Sequence, residues 1–587
     1  MKHFYCLSVL AVFLLMTACS PDASYSLSSI DATIGVEADD LDIPQNSTAK
    51  IILSDILDLN SEDNAINMDA DGNYVFERAG QTVSTTHCKV NPFTLTKRMG
   101  KGYNVDLVLP SASASSSRKV GAEKVISASG KLQDFSYSTT LPADVDEVES
   151  VKTDAKLKLN IYYPTGLADV VSTIDYINVS LPSFITYANV TCTSNATFKD
   201  NVITIKNIPS NEALSLEVDI TDINLTEKDS KNGSVILDGK KITVNCDVMV
   251  EMLASNPNME KIDGLKGKAL KSELQLSDVP VKSAVGKFSP KLDAVNIGRL
   301  VNSGLPSFMT NGNVVADFDN IFIYVMIDSS LPVDGFVTGS LTGIKKNVTI
   351  AKVDVPEFRV KANGTTLICI CRKATEEMKA KYQCIETPNI SEILKAVPDI
   401  VDFKGTGRAD NTTTTAIEVG QEYDISSSYY VNTNVAFGEE AVLVFEKNFN
   451  GMASGMERFD LGKDSKITIT AQAVNTIPLY CTAKAYLTDR SGKVINDIEI
   501  KSEEVLIPAS VDGKTPASAQ IKIEIVDGAV NAIKKVDGLK FSLTGKSKAD
   551  GQKAVTGVTL NGKTQYVEFT DVNVNINGML IYNANKD

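Results

Sequence analysis

Tryptophan is absent from this 587-residue chain, and only two histidines occur, His3 and His87. The first lack removes the broadest ring on which the apolar face of a sugar docks, although tyrosine can substitute. The second leaves histidine triads and histidine-rich metal shells without residues to form from. Basic residues are in deficit too, 58 against 73 acidic, for a formal net charge of −15. Nucleic acid and anionic lipid headgroups need clustered Lys and Arg, so no nucleic-acid partner is expected. No GxSxG elbow, HExxH pair or phosphate-binding Walker loop occurs, and no cofactor is implied. Beyond the N-terminus no apolar run is long enough for a transmembrane helix. What the chain does have is 43% hydrophobic and 22% charged residues, enough for packed cores under an ordinary surface, over a length that fits about four domains.

The N-terminus carries an address. Lys2 and the amino group form a positive region, followed by an apolar run from Phe4 to Met16 that is too short to cross a bilayer. The run ends in Met16-Thr17-Ala18-Cys19, which resembles the lipobox of bacterial lipoproteins, with Met16 standing where leucine is commoner. That resemblance implies removal of residues 1–18 as a signal peptide and a diacylglycerol on the Cys19 thiol, with acylation of the new amine. Several acyl chains make a durable anchor where one is marginal. The expected setting is therefore the bacterial outer membrane, lipid-anchored, with residues 19–30 as a small polar tether. Ser20-Pro21-Asp22 supplies a single acid after the cysteine, which leaves the periplasmic or surface face open.

Seven cysteines follow Cys19, an odd number, so at least one stays unpaired. Cys246 and Cys481 lie on the apolar faces of alternating stretches, where a free thiol behaves as a small hydrophobe. The Cys369-Ile370-Cys371 pair with Cys384 looks more like a site. A disulfide from one of the pair to Cys384 competes with packing, and a metal shell lacks a fourth ligand nearby. His87 stands beside Cys88, but neighbours on a strand face opposite ways, which is poor geometry for a dyad.

Period-2 alternation recurs along the chain, as in Leu157, Leu159 and Ile161, in Ile467 to Ala473, and in Ile521 to Ile525. Turn dipeptides punctuate it: Asp238-Gly239 and Asn561-Gly562 each predict a hairpin. The fold class expected is all-β, with tandem antiparallel Ig-like β-sandwich modules and little helix. The helices predicted are Ala374–Gln383 and, capped by Ser391, Glu392–Val397 stopped by Pro398. Two local patterns repeat. Leu181-Pro-Ser-Phe-Ile185 returns as Leu305-Pro-Ser-Phe-Met309. An alternating strand followed by an apolar residue and proline appears at Leu331-Pro332 and Ile477-Pro478, and reads as a strand leaving one sheet for the other. Boundaries near 145, 285 and 410 divide the chain into β domain 31–145, sandwich 146–285, sandwich 286–410 with short helices, and a C-terminal β domain 411–587 of one or two modules. These units, with the lipobox and the stretches Val536–Phe541 and Val558–Asn561, resemble large multi-domain lipoproteins of Bacteroides-type bacteria. That resemblance implies structure and no catalytic residues.

The remaining chemistry is sparse. Asn67-Met-Asp69-Ala-Asp71-Gly72-Asn73 alternates oxygen ligands like the first half of a calcium loop, making Asp69, Asp71 and Asn73 the only metal candidate. The twelfth position holds Arg78, so an Asp-Gly hairpin turn is the stronger reading. Ser116-Ser-Arg-Lys119 has Ser–Lys spacing inside a serine-rich run, and Gly405–Asp410 begins like a dinucleotide loop but lacks its third glycine. The function expected is a non-catalytic binding or scaffold lipoprotein with membrane contact through its lipid and a protein or glycan ligand. The alternatives are a glycan-acting enzyme using a carboxylate pair and an adhesin or pilus-type subunit whose strand Val572–Ile576 is donated.

Overall fold

The computed structural model describes residues 33–44, 47, 50–57, 65–80, 85–110, 124–292, 295–301, 314–451, 459–462, 465–502, 505–527 and 533–583. The signal peptide, Cys19, the tether, Ser116–Lys119 and Leu305–Met309 lie outside them. No helix among the described residues is long and apolar enough to cross a membrane. The described chain is nearly all β, as the alternation requires.

Six sheets pair into three sandwiches. The inner sandwich joins a nine-stranded sheet built on Val125–Thr140 and Lys241–Ser255 to a seven-stranded one built on Val145–Tyr162 and Leu214–Asn224. The middle sandwich sets the four-stranded sheet of Val295–Val301, Gly335–Lys345, Val348–Val360 and Ile400–Ala409 against a seven-stranded sheet. That second sheet holds Ile323–Ser329, Gly364–Cys371, Gln383–Glu386 and Tyr423–Asn434, together with Ile66–Met68, Tyr74–Ala79 and Thr86–Cys88 from the N-terminal part. The outer sandwich is centred on Tyr566–Asn583, which pairs with Thr33–Pro44 on one side and Lys466–Asn475 on the other. Its second sheet is Val442–Asn450, Gly538–Lys546 and Tyr480–Thr488.

The sandwiches are nested rather than in tandem. The chain contributes strands to the outer sandwich, then the middle, completes the inner one, and returns through the middle to finish the outer. Segment 31–145 therefore forms no sheet of its own; its strands are shared among all three units. The boundary near 145 falls at the corner Leu141-Pro142 within the inner sandwich, and that near 410 falls inside the middle one. One buried apolar cluster runs through all three, from Leu53 and Phe76 to Leu157, Ile323 and Val567. The strand Thr415–Glu418 leaves the middle sandwich to pair with Ser283–Phe288 of the inner sheet, stitching the two together.

The proline corners follow the sequence reading. Ile323–Ser329 lies in one middle sheet and Gly335–Lys345 in the other, with Leu331-Pro332 between; Ile477-Pro478 makes the same step in the outer sandwich. Leu141-Pro142 and Leu181-Pro182 do so in the inner one. Proline cannot donate to the ladder, so the strand ends there, and the preceding side chain drops into the core at 1–6% exposure. Asp238-Gly239 forms the predicted hairpin, with Gly239 at a φ of 56° that favours glycine. Asn561-Gly562 does not. Its Asn561 side chain accepts from the Lys563 and Thr564 amides and reaches across to residues 71 and 73, so the stretch before it never pairs with the one after. The helices are shorter than predicted, Glu376–Lys381 and Glu392–Lys395. Thr375 caps the first, and the Ser391 hydroxyl accepts from Arg372 instead of capping the second.

Candidate functional site

The exposed face of the seven-stranded middle sheet is the site best defined by side chains. Alternation buries Ile323, Val325 and Ile327 against the core and turns Tyr324, Met326 and Asp328 outward. The register sets Tyr324 between Tyr430 and Cys369, Met326 between Ser428 and Leu367, and Asp328 between Ser426 and Thr365. The Tyr324 and Tyr430 rings stack at 4.8 Å with 17° between planes, and Tyr382 tilts against Tyr324 at 5.1 Å. Burial among these rings pushes the Tyr324 hydroxyl above its ordinary pKa. Met326, Leu367 and Tyr430 nevertheless remain 42–43% exposed. On its far side Tyr430 has Ala79 as its register partner. The rim is acidic: Glu77 stands opposite Asn432, and Asp424 holds His87 Nδ1 at 2.6 Å.

Under one end of this strip lie the three thiols. Cys369 and Cys384 are partners in a parallel pairing, and the segment around the helix Glu376–Lys381 covers them through Ala374, Met378 and Tyr382. Cys369 and Cys371 are fully buried, Cys384 half-buried, and none is in a disulfide. A hydrogen bond from Cys369 to Cys371 raises the pKa of the first thiol and lowers that of the second, while burial raises that of Cys384. His87 and Cys88 face opposite ways, as strand geometry requires.

A second concavity of about 350 Å³ opens where Thr415–Glu418 crosses to the inner sandwich. Ser150, Lys152, Ser283, Asn363, Gln421 and Tyr423 contribute to its wall, and Glu418 is the one carboxylate lining it. Tyr423 ties this junction by accepting from the Glu418 amide and donating to the Glu418 carbonyl.

Asp69, Asp71 and Asn73 occupy the turn of the hairpin between Ile66–Met68 and Tyr74–Ala79. Asp69 Oδ1 accepts from the amides of Asp71 and Asn73, and its Oδ2 accepts from the Asn73 side chain, which holds the carboxyl below its usual range. Lys563 Nζ donates to the Ala70 carbonyl, so a cation already sits on this loop. Among the described residues no group of three or more His, Cys, Asp or Glu side chains is arranged to hold a metal ion. Gly405–Asp410 is strand and start of turn, not a loop leading into a helix. Val572–Ile576 is internal to its sheet, with a neighbour on each side. Sequence reasoning missed the tyrosine strip, although its signal was present: large apolar side chains at the outward positions of an alternating strand.

No protein-family model matches the chain, and no curated protein matches it. Among solved structures it is similar to a protein of Parabacteroides distasonis described as secreted, at 12% identity over 51% of this chain and 90% of that one, with a TM-score of 0.33. A structure of the Gx strain of infectious bursal disease virus is similar at 8% identity over 91% of this chain and 85% of that one, with a TM-score of 0.13. Neither TM-score establishes a shared fold.

Proposed function

We propose that this chain is a non-enzymatic binding scaffold, lipid-anchored in the bacterial outer membrane through Cys19, which docks a protein partner on the tyrosine strip of its middle sandwich. The observation that carries the reading is the exposed row of Met326, Leu367 and Tyr430 beside the half-buried Tyr324. Contiguous apolar side chains held outward on a rigid sheet mark a contact surface, and Tyr and Met are the residue types such surfaces favour. Methionine and leucine beside the tyrosines fit an apolar protein surface better than a hydroxyl-rich sugar. Glu77, Asp328 and Asp424 around the strip call for a partner with a basic rim. Strand Thr33–Pro44 belongs to the outer sandwich, so an anchor at Cys19 holds that sandwich within at most about 50 Å of extended chain.

Two measurements test the parts separately. Cys19→Ser is expected to release the protein from the membrane fraction; retention as firm as that of the parent rejects the anchor. A photo-crosslinker at Met326 in intact cells is expected to capture a neighbour that is not captured from Ile236, an exposed position on the inner sandwich, and Tyr430→Asp is expected to abolish the capture. Equal capture from both positions rejects the docking face. Turnover of a glycan panel that depends on one Asp or Glu rejects the non-enzymatic reading.

A further inference from the structure

We infer that Cys369 and Cys384 are an oxidisable pair that closes to a cross-strand disulfide, clamping the segment 372–382 beside the tyrosine strip. The two residues are register partners with side chains on one face, in a cluster with Ala374, Met378 and Tyr382. Paired strands lie about 4.8 Å apart, inside the roughly 4.4–6.8 Å Cα separation that a disulfide takes. The competing pairs are worse placed. Cys369 and Cys371 sit two apart on one extended strand, so their parallel Cβ atoms are about 6.6 Å apart where a bridge takes about 3.8 Å. Cys371 has Glu386 as its register partner and meets Cys384 only diagonally. Three thiols in one aromatic pocket are also more than packing asks, since one small apolar side chain per position would fill it.

The chemistry divides the labour. Cys384, half-buried where the other two are fully buried, is the thiol an outside disulfide reaches. Its thiolate attacks one sulfur of a low-molecular-weight or protein disulfide, releasing one thiol and leaving a mixed disulfide. Cys369 then attacks the Cys384 sulfur and releases the second thiol, its proton leaving with the departing thiolate. Two protein thiols and one disulfide become one protein disulfide and two free thiols, and the two electrons leave with the oxidant. The ring closed between residues 369 and 384 contains the helix Glu376–Lys381, so oxidation fixes the cover that Tyr382 contributes to the strip. This inference rests on the thiol geometry alone, and stands or falls apart from the docking reading.

The test is a peptide map of the full chain after exposure to oxidised glutathione, digested by trypsin without reduction. Cleavage at Lys361, Arg372, Lys381 and Lys395 separates Ala362–Arg372 from Tyr382–Lys395. The expected product joins these two peptides at about 2 Da below their summed mass, with fragmentation placing the bond at Cys369. Cys371→Ser should keep the bond, whereas Cys369→Ser should lose it and accumulate a glutathione adduct on Cys384. A bond placed at Cys371, a stable adduct on Cys384 in the parent chain, or no reaction at Cys384 overturns the assignment. The parent map decides even if a variant does not fold.

Discussion

Asp402 is a carboxylate at 5% exposure in the middle sandwich, and Arg299 does most to make that tolerable, with Lys404 Nζ at 4.0 Å. Arg299 grips it twice, Nε to Oδ1 at 2.7 Å and Nη2 to Oδ2 at 3.0 Å, from the neighbouring strand. The guanidinium holds the carboxyl below its usual range against the opposing effect of burial. A depressed carboxylate contributes stability that is complete above its unfolded pKa and is lost as pH falls through the lower folded value. Arg299→Ala should therefore cost about 1–3 kcal/mol at neutral pH, because it strands a buried acceptor. The lower half of that range is expected, since Arg299 is half exposed and water screens the pair. The measurement is the urea midpoint of parent and variant across pH. The gap should shrink on the acid side as Asp402 protonates, and a gap constant down to about pH 2 would mean that the pair does not act through charge. None of this was legible in the sequence, where the two residues stand 103 positions apart with no local pattern linking them. Tyr324 and Met326 were legible in principle: their outward phase follows from counting twos along Ile323 to Ser329, and only the habit of assigning apolar residues to the core hid them.

At the scale of the element, the recurring device is the corner in which an apolar residue and a proline carry the chain from one sheet of a sandwich to the other. Its two residues do different work. Leu181 is 2% exposed and plugs the end of the inner sandwich, so Leu181→Ala should leave a cavity and cost about 2–5 kcal/mol. Pro182 ends the ladder and stiffens the unfolded chain, so Pro182→Ala should cost only about 1 kcal/mol. Chemical denaturation of the two variants checks the contrast; equal losses would place the structural weight on the proline. This device was legible because it is local: alternation stops, leucine faces in, and a residue without an N–H follows. The Asp238-Gly239 hairpin was legible for the same reason. Asn561-Gly562 carries the same dipeptide signal and fails, because its amide serves a contact with residues 71 and 73, nearly 500 positions away. A turn residue announces that the chain bends, and not which strand it bends towards.

For the whole molecule, what escaped the sequence is nesting. Alternation says that Thr33–Pro44 is a strand, but its partner lies beyond residue 565, and no composition change marks the chain's passage from one sandwich to the next. The nesting makes distinct claims about what folds alone. Residues 90–292 hold the inner sandwich as one continuous piece and give up only the borrowed strand Thr415–Glu418. Expressed by themselves they should give a monomer that unfolds cooperatively. Residues 436–583 look equally continuous but lack Thr33–Pro44, which leaves the edge of Tyr566–Asn583 bare. Val572, Val574 and Ile576 are buried on that strand, and a long bare edge with an apolar face pairs with other chains. That fragment should aggregate. The register offers the rescue: Thr33 stands opposite Asn583, so a short glycine-rich loop can join 583 to 33 as a hairpin. The permuted chain 436–583–loop–33–57 should elute as a monomer with a single thermal transition. If it aggregates as readily as 436–583 alone, the outer sandwich depends on its middle neighbour, and the buried cluster that runs through all three units is one cooperative core rather than three in contact.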